Sequence, residues 1–322
     1  MTIGKPASFK ELHQKMFHSS ELDNHPMPSS NFVPASVELP LNFHIQSMHN
    51  VAKTVTLHCG DSVEILKKLP ASTVDLIVTS PPYADQRMST YGGIHPDRYV
   101  QWFTPFAEQM HRVLKPSGSF ILNIKERVVS GERHTYVLEL ILALRKMGWL
   151  WTEEYIWHKK NCYPGKWPNR FRDAWERCIH FTKEKKFKMI QDSVMVPTGD
   201  WKKSRLKNLS STDKRRDESK VGSGFGKKIE NWVDRDLSYP TNVLHFATEC
   251  GNRGHSAAFP TDLPTWFIKL FTEEGDVVLD PFAGSGTTLE AANALGRNSI
   301  GIELLPEYQK VIQSRMHLVG GC

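Results

Sequence analysis

The sequence predicts a doubly wound, mostly parallel α/β sheet. Three observations carry that expectation. Apolar strand-like segments alternate with amphipathic helical segments across short turns, the rhythm of crossover-connected parallel strands. One buried-looking strand, Val74–Val78, runs directly into the rigid turn Ser80–Pro81–Pro82–Tyr83. About 200 residues later a second, Asp276–Asp280, runs into the glycine-rich turn Pro281–Phe282–Ala283–Gly284–Ser285–Gly286 and then a helical pattern.

Taken in order, residues 1–50 are polar, rich in Ser, Pro, His and Asn and without period, and read as a leader that is partly disordered. Thr54–Leu57 reads as the first strand, ending at Gly60–Asp61, with Ser62–Leu69 as the helix that follows. After Val74–Val78 come a helix over Tyr99–Leu114, a strand at Ser119–Ile124, a helix near Thr135–Met147 and a strand at Trp151–Trp157. Residues 161–240 break the alternation and hold much of the Trp, Lys and Arg, so they read as an insert. The rhythm resumes with a helix at Pro264–Phe271, the strand before the glycines, a helix over Leu289–Leu295 and a strand Ser299–Ile302 that ends on Glu303. The expected division is therefore 51–160 and 241–322 as two halves of one sheet, with 161–240 between them.

The two turns carry different chemistry. In Ser80–Pro81–Pro82–Tyr83 the prolines remove two N–H donors, so carbonyl acceptors are exposed without competing donors. The Ser80 hydroxyl and a proline carbonyl then suit the two hydrogens of a planar exocyclic amine, and Tyr83 adds a flat face. A rigid turn with no ligand has the same letters. Gly284 and Gly286 allow a tight turn and close backbone approach, and Thr287 and Thr288 fall where a helix N-terminus presents free N–H groups. Glu303, about 20 residues on, suits ribose hydroxyls, and no lysine follows the glycines as a P-loop requires. An uncharged-tail nucleoside fits better than a triphosphate.

Together, Thr79–Ser80–Pro81–Pro82–Tyr83 and Asp280–Pro281–Phe282–Ala283–Gly284–Ser285–Gly286–Thr287–Thr288 resemble the S-adenosylmethionine-dependent amino-methyltransferases of DNA. The amine motif precedes the cofactor glycines, as in the permuted (beta) group of restriction-modification enzymes, and the chain resembles the PvuII-type N4-cytosine methyltransferases within it. The resemblance runs from about Leu57 to Tyr308. It includes Gly60–Asp61–Ser62, Lys115–Pro116–Ser117–Gly118–Ser119–Phe120, Phe259–Pro260 and Leu263–Pro264. It implies a seven-stranded Rossmann-like methyltransferase sheet whose natural strand order is cut between Ile300–Glu303 and Thr54–Leu57. The two motif strands would then lie side by side at the switch point where open α/β sheets bind ligands.

The resemblance also implies roles. Ser80, Pro81, Pro82 and Tyr83 would hold the target amine. Asp280, Pro281, Phe282, Ala283, Gly284, Ser285 and Gly286 would wrap the methionine part of S-adenosylmethionine, ahead of Thr287 and Thr288. Phe282 and Tyr83 would face the cationic sulfur. Glu303 would take the ribose hydroxyls and Asp61 the adenine amine, although Asp61 also reads as the N-cap of the following helix. Phe259, Thr261 and Asp262 would close over the methionine carboxylate, or form an ordinary core loop. In double-stranded DNA the target base must flip out, with Tyr83 and Trp157 as stacking candidates; a core tryptophan is the other reading of Trp157. Residues 161–240 become a target-recognition region, with Lys159, Lys160, Arg170, Arg172, Lys202, Lys203, Arg205 and Lys207 on phosphates or guanines.

Charge and cysteine usage agree. The chain carries a net charge of +6, and the segment Lys202–Lys228 has ten basic residues against three acidic. That local excess exceeds the whole chain's net charge, so one segment holds the basic character, either as a phosphate-binding loop or as a solvated one. Five dispersed cysteines and no CxxC pair point to reduced thiols, and no metal is expected. No apolar run is long enough to span a bilayer. The expected location is the cytoplasm, with the nucleoid, in a bacterium, or the nucleus in a eukaryote. N6-adenine methylation is the nearest rival, since a serine can serve either base, but the resemblance favours cytosine because the family usually carries Asp for adenine where this chain has Ser80; methylation of RNA or protein and a non-catalytic nucleic-acid-binding module are the others.

Overall fold

The computed structural model describes residues 54–85, 93–162, 165, 167–198, 236–249 and 259–316. Its centre is a sheet of eight strands. In chain order they are β1 (Val55–Cys59), β2 (Val74–Thr79), β3 (Leu114–Ile124), β4 (Leu150–Lys159), β5 (Trp175–Thr182), β6 (Val243–Phe246), β7 (Val277–Asp280) and β8 (Asn298–Glu303). Their spatial order is β1-β8-β7-β2-β3-β5-β4-β6. All neighbours pair in parallel except β5, which runs antiparallel to both β3 and β4.

The expected cut in strand order is present. The last strand, β8, pairs with the first, β1, in the register Val55↔Ser299 through Cys59↔Glu303. The two motif strands are neighbours, with Val278↔Leu76 and Leu279↔Ile77 in register. Both motif turns therefore leave the same end of the sheet.

Among the described residues, six α-helices flank the sheet: α1 (Ser62–Lys68), α2 (Tyr99–Val113), α3 (Tyr136–Lys146), α4 (Asp262–Phe271), α5 (Thr287–Ala294) and α6 (Pro306–Arg315). Strand β2 is buried at every position, as a parallel strand covered on both faces must be. Its side chains alternate between two cores. Ile77 joins the core under α1, α2 and α3, while Leu76 and Val78 join the core under α4 and α5. Helix α2 supplies the largest apolar stripe, Tyr99, Phe103, Phe106, Ala107, Met110 and Val113, at helical spacing. No helix among the described residues is long and apolar enough to cross a membrane.

One motif carried by the family likeness proves structural. Lys115 bonds both carboxylate oxygens of the buried Asp75 at 2.8 Å, and Asp75 Oδ2 also accepts the Val277 N–H at 3.0 Å, tying β2, β3 and β7 together. At Gly118 a Cβ would lie 2.9 Å from the Asp75 carbonyl oxygen and 2.7 Å from Leu114 Cδ1, so only glycine fits.

Two strands differ from the sequence reading. Strand β5 lies inside the segment read as an insert, yet it is the central antiparallel strand between β3 and β4. Its charged start, Glu176–Arg177, hides the pattern because those charges are neutralised inside the fold rather than exposed. Strand β6 is the second, and it makes the sheet eight-stranded instead of seven-stranded. Its four residues extend the outer edge of β4 from Val243↔Ile156 to Phe246↔Lys159. The polar leader 1–50 and the whole basic run 202–228 lie outside the described residues.

Candidate active site

The two motif turns border one cavity of about 450 Å³, within the range of small-ligand pockets. One wall is Ser80, Pro81, Pro82 and Tyr83; another is Pro281, Phe282 and Gly284; Asp61, Ser62, Ile302, Glu303 and Leu304 close one end. Asn123, Trp157, Lys159 and Glu176 line the other side.

The glycine turn is held by buried bonds between distant parts of the chain. Asp280 ends β7, and its carboxylate accepts Thr79 Oγ1 at 2.6 Å, Thr288 Oγ1 at 2.7 Å and the Phe282 N–H at 3.0 Å. Burial pushes the Asp280 carboxyl above its ordinary range, and those three donors oppose the shift. Ser62 Oγ donates to the Pro281 carbonyl at 2.6 Å. Gly284 and Gly286 both have left-handed φ, 52° and 81°, a conformation that costs other residues about 1–2 kcal/mol. The turn thus bends without clash and presents Gly284 to the cavity.

Glu303 ends β8 beside this turn. Its Oε2 accepts the Gly284 N–H at 2.8 Å and its Oε1 accepts the Leu305 N–H at 3.0 Å. Burial raises its pKa, against the pull of those amides. Asp61 is the N-cap of α1, with Oδ1 accepting from Val63 N–H at 2.9 Å and Glu64 N–H at 3.1 Å. It lines the cavity as well, so the two readings of Asp61 coexist. Phe282 packs between cavity and core, with its ring centroid 5.0 Å from Phe106 and 5.9 Å from Trp102.

The other wall is a chain of polar side chains. Ser80 Oγ donates to Tyr83 Oη at 3.2 Å. Tyr83 Oη lies 2.8 Å from Glu176 Oε2 and 3.2 Å from Asn123 Oδ1; with a single hydrogen, it donates to the nearer carboxylate. Glu176 Oε1 accepts Lys159 Nζ at 2.5 Å, and that ammonium lies 4.9 Å from the centre of the Trp157 ring. Burial, then the Glu176 charge, hold the Tyr83 phenol well above its usual pKa, so it stays protonated. The Pro82 carbonyl already accepts Tyr99 Oη at 2.9 Å, which makes the Pro81 carbonyl the better candidate for a ligand amine.

Several expected site residues stand apart from the cavity. Ala283 joins the apolar core, and its N–H bonds the Ile302 carbonyl at 2.9 Å. Arg315 holds the Ser285 carbonyl at 2.6 Å and approaches Thr287 Oγ1 at 3.3 Å. Gly286 caps α5, Thr288 serves Asp280, and neither borders the cavity. Phe259 does border it, whereas Thr261 and Asp262 begin α4 outside it.

Trp157 is both a core residue, 4% exposed, and a cavity wall. Lys159 corrects the sequence expectation: it faces the cavity as the partner of Glu176 rather than outward toward phosphates. Lys160 and Arg172 are exposed; Arg170 lies 5.2 Å from the Trp167 ring centre and Arg172 bonds the Cys162 carbonyl at 3.3 Å. Lys202, Lys203, Arg205 and Lys207 lie outside the described residues. Sequence reasoning missed Asn123, Glu176, Trp102 and Phe106. The available signal for Glu176 was an acidic residue two positions ahead of the mostly apolar stretch Cys178–Phe181.

No group of three or more His, Cys, Asp or Glu among the described residues is arranged to hold a metal ion. Comparison with known proteins agrees with this geometry. The DNA methylase family of N6 and N4 enzymes matches residues 74–314. The Type II methyltransferase M.PvuII of Proteus hauseri is 31% identical over 277 residues, covering 79% of this chain and 81% of that protein. The solved PvuII DNA methyltransferase, described as cytosine-N4-specific, superposes with a TM-score of 0.62 at 27% identity, covering 81% of this chain and 86% of the other. A Thermus thermophilus protein solved in complex with S-adenosyl-L-methionine has a TM-score of 0.52 at 26% identity, covering 82% of this chain and 96% of that one. With its paired motif turns at one end of a permuted parallel sheet, the chain belongs to the N6/N4 DNA methylase family, whose members are S-adenosylmethionine-dependent DNA methyltransferases.

Proposed function

We propose that this enzyme methylates the exocyclic N4 amine of cytosine in DNA. The observation that carries the reading is the Ser80 hydroxyl at the cavity wall. Its own hydrogen points to Tyr83 at 3.2 Å, which leaves its lone pairs to accept a hydrogen from an incoming amine. The likeness to a cytosine-N4-specific enzyme, and serine instead of the aspartate usual in adenine enzymes, favour cytosine over adenine.

The cavity residues fit S-adenosylmethionine. A buried carboxylate at the end of β8 suits ribose hydroxyls, Asp61 suits an adenine amine, Gly284 permits close backbone approach, and Phe282 and Phe259 provide aromatic faces. When bound, the cofactor supplies a methyl group made electrophilic by a sulfonium. Phe282 and Tyr83 offer that cation electron-rich ring faces.

The amine of cytosine is conjugated with its ring and is a poor nucleophile. Ser80 Oγ and the Pro81 carbonyl, accepting its two hydrogens, favour a pyramidal nitrogen whose lone pair is free. They also offset positive charge as it develops there, and the rigid Pro-Pro turn fixes the line of approach. A base inside a duplex cannot reach this cavity, so it must flip out. Tyr83 and Trp157 are the faces for stacking. Lys160, Arg170 and Arg172, with the basic run at 202–228, are suited to phosphates.

Nucleoside mass spectrometry tests the assignment. Unmodified genomic DNA incubated with enzyme and cofactor should accumulate N4-methylcytosine. Accumulation of N6-methyladenine alone would reassign the base.

A further inference from the structure

We infer that Glu176 is the terminal proton acceptor of methyl transfer, reached from the target amine through Ser80 and Tyr83. The inference rests on the reading of Ser80 as the amine's acceptor. Transfer leaves the base nitrogen with the new methyl group, two hydrogens and a positive charge, so one proton must leave. Ser80 and Tyr83 form a chain of hydrogen bonds with one direction: Ser80 donates to Tyr83 at 3.2 Å, and Tyr83 donates to Glu176 at 2.8 Å. That direction is the one a proton leaving the amine would follow.

The step balances without an added reagent. The N–H bond breaks, and its electron pair returns to the nitrogen. Ser80 Oγ takes that proton while passing its own to Tyr83 Oη, and Tyr83 passes its own to Glu176 Oε2. One cationic base and one carboxylate become a neutral methylated base and a neutral carboxylic acid. No electrons are transferred between redox centres.

The surroundings single out Glu176. Asn123 also lies within reach of Tyr83, but an amide cannot hold the proton. Of the nearby carboxylates, Glu126 and Glu154 bond Arg177, whereas Glu176 accepts from Tyr83. Glu176 is buried, 7% exposed, and Lys159 at 2.5 Å offsets its charge there. The high pKa of the Tyr83 phenol suits a group that passes a proton on without keeping the negative charge. The titratable and charged groups facing Glu176 are Tyr83, Lys159 on β4, Tyr136 on α3 and Cys178 on its own strand. Glu176 acts through Tyr83 and is a positioning residue for the reacting nitrogen.

The test is Glu176→Gln in the full chain, assayed with DNA and S-adenosylmethionine. Gln keeps the shape and still accepts a hydrogen bond from Tyr83, but it cannot take the proton. Turnover should fall by about 10²-fold or more, the low end for a positioned proton-transfer group. Affinities for S-adenosylmethionine and DNA should hold. Glu176→Asp should recover part of the rate. Because Gln leaves the Lys159 ammonium unpaired, the double variant Lys159→Met/Glu176→Gln repeats the test with a neutral pair and should be equally slow. Wild-type turnover in Glu176→Gln or in the double variant would overturn the relay alone. A wild-type enzyme that methylates no exocyclic amine would overturn the parent reading, and the relay with it.

Discussion

The turns after β2 and β7 face one cavity but are built on opposite principles. The turn after β7 works through its backbone. Two left-handed glycines bend it, and Asp280, Ser62 and Arg315 hold it by bonds to hydroxyls, carbonyls and one amide. The turn after β2 works through side chains. Tyr83 is oriented by Glu176 and Ser80 by Tyr83, and Glu176 in turn by Lys159, from strands far along the chain. A backbone site depends on local conformation, which short motifs specify. A side-chain site depends on charged partners brought in by topology.

Breaking the clamp of the first turn should have the largest structural effect. Asp280→Ala leaves Thr79 Oγ1, Thr288 Oγ1 and the Phe282 N–H without their acceptor. At about 1 kcal/mol or more for each buried group left unsatisfied, stability should drop by about 3 kcal/mol. Chemical denaturation measures that loss, and calorimetry should find cofactor binding weakened in parallel. A variant of wild-type stability would mean that Asp280 does not clamp the turn.

Between neutral and mildly acidic pH, a smaller effect separates the two sides. On β5, the strand that also carries Glu176, His180 is buried against Phe187 and Phe271, and burial lowers its pKa from 6.5 to about 3. The folded-state pKa is depressed, so the unfolded chain binds the extra proton between those values. The stabilisation is present above pH 6.5 and is lost as pH falls toward 3, at up to about 1.4 kcal/mol per pH unit. His180→Phe should flatten the dependence of unfolding free energy on pH by one proton in that window. An unchanged slope would show that His180 titrates freely in the fold. Asp280 and Glu303, on the other side, have raised pKa values and respond in the opposite sense: their contribution weakens as pH rises through the folded-state values.

The same contrast explains what could be read from the sequence. The strand–turn–helix at Val277–Ala294 was legible because glycine spacing, a preceding apolar run and a following helical pattern are local signals. So was the permuted order, since β8 and β1 both read as strands and the motif order required them to meet. Strand β5 was not legible. Trp175, Glu176 and Arg177 look like part of a basic, aromatic surface segment until β3 and β4 are known to flank them. Lys159 reads as a phosphate contact for a related reason: its partner is 17 residues away on a strand that the pattern conceals. Trp102 and Phe106 read as a helix core stripe, and the cavity they line exists only once Phe282 is folded against them.

The division of labour between the turns is tested most directly by Ser80→Ala, measured for methyl-transfer rate and S-adenosylmethionine affinity in the same preparation. Ser80 lines the cavity beside Tyr83 and takes no part in the bonds that hold the glycine turn. The rate should fall by roughly 10²–10³-fold, the effect of losing one positioned hydrogen bond in a transition state, while cofactor affinity stays unchanged. An unaltered rate, or a rate and an affinity that fall together, would contradict it.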